Sequence, residues 1–130
     1  LLSAEEVLFN RAEAYALTGQ YDAALADLNV FLSKRITNYT PANNLTLQRM
    51  MNYYSMPGDR AKALTQTILD LKQKEFIQEG LRWLDILRYK IPITHEEKDG
   101  PTTEISANDP RKVLQIPQLA QSAGISPNPR

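Results

Sequence analysis

The chain has 130 residues, with 15 Lys and Arg against 15 Asp and Glu, no cysteine and a single histidine. That length suits one domain burying roughly two thirds of its unfolded surface, and balanced charge provides no net field to draw it onto nucleic acid or an anionic membrane. Without cysteine there is no disulfide, thiolate zinc site or Cys nucleophile, and one imidazole, His95, excludes a His-based metal cluster within the chain.

The opening LLSAEEVLFNRAEAY lacks a basic n-region and a cleavage motif, and no apolar run approaches the ~18 residues that span a bilayer. It starts without Met, directly in a helical pattern, as expected of part of something longer. From 1 to 35, Val7, Leu8, Ala12 and Tyr15, then Ala24, Leu25, Leu28, Phe31 and Leu32, recur at a helical period on either side of TGQYD, which predicts a helical hairpin. Ser3 with Glu6 makes a capping box, and Gly19 supplies the positive-φ residue that ends the first helix. The hairpin resembles a tetratricopeptide repeat: Tyr15, Gly19, Tyr21 and Ala24 stand at that repeat's offsets, while Phe31 replaces a later small residue. One repeat cannot bury its own face, so neighbouring elements must cover it.

Residues 36–59 read as a loop holding a short helix near Leu45 to Tyr54, closed by Pro57, Gly58 and an N-capping Asp59. Residues 60–90 resume a helical pattern through Ala61, Leu64, Ile68 and Leu71, with a break expected at Gly80. Residues 91–130 are expected to be loop and then an extended tail lying against the helices, because Pro117, Pro127 and Pro129 remove backbone donors. The fold class is therefore all-α: tetratricopeptide-like hairpins with long loops and an extended, proline-containing C-terminal tail, in one domain.

In KEFIQEGLRWLDILRYK, Glu75, Glu79 and Arg82 share a face if the helix turns about 100° per residue throughout, and Asp85 lies one turn further. Two carboxylates on an apolar side suggest glycosidase-like acid and base work. The arginine between carboxylates favours instead a structural ion-pair ladder of Glu75, Glu79, Arg82 and Asp85, since it lowers carboxylate pKa values where a general acid needs one raised. His95 opens HEEKD, the start of a zincin-like motif, but Asp99 stands where the second histidine belongs, so no metal is expected. Tyr53 and Tyr54 point about 100° apart on a helix, which leaves at least one ring available to a ligand; they are the candidate ligand-binding residues. Trp83, flanked by Leu84 and Ile86, is expected in a core.

The helix with Glu75, EGLRWLDILRY at 79–89, QIPQ at 115–118 and the terminal NP at Asn128 and Pro129 follow one another in an order that resembles the carboxy-terminal part of the SusD/RagB family. NRAEAYALTGQYDAALADLN at 10–29 resembles that family's RAEAY helix and its partner. The resemblance implies a lipid-anchored protein on the outer face of the outer membrane of a Bacteroidetes-type bacterium. There it would bind an oligosaccharide or polysaccharide, or in some members a peptide, and deliver it to a SusC-type TonB-dependent transporter. It implies no catalysis, no cofactor and no nucleic acid, and membrane association only through a lipid anchor outside this chain. A tetratricopeptide-type adaptor that grips a partner's peptide, and a hydrolase using Glu75 and Glu79, are the competing readings.

Overall fold

The computed structural model describes residues 3–129. Where length suggests one domain, the chain divides into two compact units, 1–78 and 79–130.

The first unit is helical throughout. Helix α1 (Ala4–Leu17) starts at Ser3, whose Oγ accepts the Glu6 N–H at 3.0 Å, satisfying one of the donors that a helix start leaves open. It stops at Thr18, and Gly19 then takes φ +79°, a left-handed conformation strained for any side chain. Helix α2 (Tyr21–Arg35) folds back on α1. Ala12, Ala16 and Ala24 are completely buried, and these small residues let the two backbones approach. Arg11 locks the hairpin by a two-point bond to Asp27, at 2.8 and 2.7 Å.

Helix α3 (Leu47–Tyr53) starts at Thr46, and α4 (Arg60–Glu75) at Asp59, whose side chain accepts the Lys62 N–H at 3.0 Å. Helix α4 packs on α1, α2 and α3 and so supplies the cover that a single hairpin lacks. Phe9 of α1, Leu28 of α2, and Leu64 and Ile68 of α4 are the largest fully buried side chains among the described residues, each contributing roughly 1.5–3 kcal/mol by removal from water. Phe31 is buried where the repeat pattern has a small residue, its ring 4.6 Å from Phe9, and Phe76 meets Phe9 edge-on at 5.9 Å. The three rings pack together within the first unit's core.

The second unit contains α5 (Leu81–Arg88), entered through Gly80 at φ +79°. A two-stranded antiparallel ribbon follows, β1 (Ile93–His95) on β2 (Thr103–Ile105), with Ile93 opposite Ile105. A 3-10 turn at Pro110–Lys112 and a short helix α6 (Gln118–Ser122) complete it. The expected loop and extended tail at 91–130 is thus partly regular. β-branched Ile93, Thr94, Thr103 and Ile105 suit paired strands, and Pro117, with φ near −57°, opens α6 where no backbone donor is needed. Gln115 carries the tail: its Oε1 accepts the N–H of Asn128 at 2.7 Å and its Nε2 donates to the Asn128 carbonyl at 3.0 Å. Asn128 returns a bond from Nδ2 to the Leu114 carbonyl at 2.7 Å. The QIPQ and NP segments are therefore two halves of one clasp. Trp83, expected in a core, is 37% exposed.

Candidate functional site

A cleft of about 300 Å³ opens between α3 and α4 in the first unit. Met50, Leu32 and Leu71 supply its apolar lining, Tyr53 and Tyr54 its aromatic side, and Arg49, Asp70 and Lys74 its charge. The volume lies at the lower end of small-molecule sites and holds about one sugar ring.

The cleft is built from its loop inward. Asn29 on α2 accepts the Leu45 N–H at 2.7 Å and donates to the Leu45 carbonyl at 3.2 Å, acting as a surrogate strand that seats the loop. The Tyr39 hydroxyl donates to Asn44 at 2.6 Å. Arg49 Nη1 then donates to the carbonyls of Ala42 and Asn44, both at 2.8 Å, which ties the guanidinium of α3 to that loop.

The two tyrosines divide the work. Tyr54 is half-buried and donates its hydroxyl to Asp70 Oδ2 at 2.6 Å, while Gln66, one turn earlier on α4, donates to Asp70 Oδ1 at 3.0 Å. Burial, and then the Asp70 carboxylate beside it, raise the Tyr54 pKa above its ordinary value, so the phenol remains a donor. Tyr53 is 79% exposed and stands edge-on to Tyr54, with ring centroids 4.8 Å apart. Neighbours on a helix cannot both face the core, and the angular separation of adjacent side chains leaves one flat ring open to solvent. Such a face, next to fixed hydrogen-bonding groups, can stack on a sugar ring.

The four residues of the expected ladder fall on different elements. Helix α4 ends at Glu75, so Glu75, Glu79, Arg82 and Asp85 do not occupy one helix and the angular argument that aligned them fails. Glu75 bonds Arg35 of α2 through Nε at 3.0 Å and through Nη2, and Arg35 also reaches Glu5 of α1 at 3.0 Å. This cluster ties three helices of the first unit, and hydrogen bonding to Glu75 raises the Arg35 pKa. Glu79 is exposed in the turn before Gly80, Arg82 is half-buried on α5, and buried Asp85 bonds Arg88 one turn along at 3.2 Å. Both Glu75 oxygens are engaged by the Arg35 guanidinium, so the carboxylate is part of the contacts that join these helices. His95 is exposed on β1, and among the described residues no group of His, Asp and Glu is arranged to hold a metal ion.

Arg49, Asp70 and Lys74 escape sequence reading, because only the packing of α3 on α4 brings them together. The sequence signal that does exist is local: Gln66 and Asp70 lie four residues apart on one helix face.

The fold is mostly helical, built on helical hairpins, with an aromatic cleft in its first unit. The SusD family model matches residues 5–120, and the chain belongs to the SusD family. No curated protein and no solved structure matches it. The family carries a nutrient-binding role in general; its members are generally non-catalytic and generally outer-membrane-associated lipoproteins of Bacteroidetes. No helix among the described residues is long and apolar enough to cross a membrane.

Proposed function

We propose that the chain is the closing helical portion of a nutrient-binding lipoprotein on the extracellular face of the outer membrane. It captures an oligosaccharide without covalent chemistry and delivers it to a SusC-type TonB-dependent transporter. The observation that carries this reading is the SusD family match over residues 5–120. The cleft supports it: Tyr53 offers an open ring, while Tyr54, Asp70 and Arg49 form a preset frame that needs little ordering when a ligand arrives. Tyr53 and Tyr54 are the proposed ligand contacts, and Glu75 belongs to the scaffold.

A glycan array followed by calorimetry on the intact protein tests the assignment. Binding of at least one oligosaccharide class, with no turnover of the bound sugar, is the expected result. Silence across the glycans with tight binding to a peptide panel would replace the substrate class and favour the adaptor reading.

A further inference from the structure

The charge of the α3/α4 cleft is not the charge of the chain. Lys and Arg balance Asp and Glu over the whole sequence, yet the cleft is lined by two cations, Arg49 and Lys74, and one carboxylate, Asp70. Asp70 is already engaged at both oxygens, by Tyr54 and Gln66. Thr67, also on the lining, spends its hydroxyl proton on the Ala63 carbonyl at 2.9 Å. The cations are differently placed. Lys74 is exposed, and its ammonium makes no hydrogen bond or ion pair among the described residues. Arg49 uses Nη1 for its two loop carbonyls, and among the described residues its Nε and Nη2 have no hydrogen-bond partner.

The cleft thus has more cations than carboxylates, and its one carboxylate is already bonded at both oxygens. A neutral sugar presents hydroxyls that both give and take hydrogen bonds, and it offers the two cations no opposite charge. A carboxylate or sulfate substituent only accepts, and a guanidinium held by two carbonyls is preorganised to receive it. Tyr53 provides the stacking face for the ring that bears the charge.

We propose that this cleft selects a negatively charged sugar residue, the anionic group resting between Arg49 and Lys74 while the ring lies on Tyr53. The proposal rests on the nutrient-binding reading above and narrows its substrate to anionic oligosaccharides.

The test is calorimetric titration of the intact protein with four probes: an oligogalacturonide, its carboxyl-reduced counterpart, a sulfated oligosaccharide and its desulfated counterpart, each at low and high salt. At least one charged probe should bind about ten-fold tighter than its neutral counterpart, as one charge-assisted bond predicts, and the advantage should shrink as salt rises. Which pair shows the difference tells carboxylate from sulfate. Lys74→Gln, at a side chain with no hydrogen-bond or ion-pair partner among the described residues, should cut the affinity for the charged probe several-fold and for the neutral probe far less, with an unchanged melting temperature. Equal binding of charged and neutral members, or a Lys74→Gln variant that binds the charged probe as tightly as the parent, overturns the anion preference and leaves glycan binding intact. Failure of all four probes and of every glycan on the array overturns the nutrient reading and this inference with it.

Discussion

The two units solve the folding problem with different interactions. All the buried apolar side chains of the described residues, from Phe9 to Phe76, lie in the first unit, whereas the only buried residues of the second are Asp85 and Lys112. The first is held by a hydrophobic core that α1, α2 and α4 share. The second, short of core, is held by side chains bonded to backbone: Lys112 Nζ donates to the carbonyls of Ile91 at 2.7 Å and Ala107 at 3.1 Å, and Gln115 clasps Asn128. A core tolerates apolar exchange of similar volume; a polar clasp depends on particular atoms. That difference accounts for why the second unit's sequence reads as motifs and the first as periodicity.

The comparison is broken most severely at Phe9, where three aromatic rings meet. Phe9→Ala should cost about 3–5 kcal/mol, read from urea unfolding; a cost below about 1 kcal/mol would show that the ring cluster is not the first unit's core. In the second unit, Lys112→Met keeps length and apolar stem but leaves two carbonyls without their donor. A loss of about 2 kcal/mol is expected, seen as faster amide exchange in β1 and β2; an unchanged exchange pattern would show that the buried ammonium is incidental. Gln115→Ala should cost about 1–2 kcal/mol by removing the bonds to Asn128, whereas Gln115→Glu keeps the acceptor and should recover part of it.

The smallest effect is electrostatic. Hydrogen bonds from the Arg111 side chain, then from its backbone N–H, hold the Asp109 pKa down to about 2 from its ordinary value of 3.8. A depressed carboxylate stabilises the fold fully above 3.8, and that contribution is lost as pH falls through about 2. An NMR titration should find the low value in the parent and a return toward 3.8 in Arg111→Ala.

How far the sequence discloses this depends on the range of the interactions. The α1/α2 hairpin is readable because its signals are local: Ser3 capping Glu6, Gly19 at positive φ, and Ala24 facing a helix one turn away. Helix α3 is readable for the same reason, as is the exposure of one ring of Tyr53 and Tyr54. The alignment of Glu75, Glu79 and Arg82 on one helix face fails because angular bookkeeping assumes that the helix continues. Phe76 instead turns into the core beside Phe9, and Gln78 and Gly80 both take positive φ, at 68° and 79°. Once the helix stops, Glu75 is free to meet Arg35, which lies 40 residues away in sequence. The ribbon of β1 and β2 is missed because two strands of three residues each carry too little alternation to outweigh the prolines around them. The cleft's cations are missed for a further reason: Arg49 and Lys74 look like ordinary surface residues until α3 is laid on α4.

Non-covalent capture at the α3/α4 cleft is tested most directly at Tyr53. Its ring is 79% exposed, so removing it should leave stability unchanged. Calorimetry of the intact protein and its Tyr53→Ala variant, against an oligosaccharide bound on the array, should show affinity falling about ten-fold or more with the same melting temperature. Parental affinity in Tyr53→Ala would move the binding surface away from this cleft.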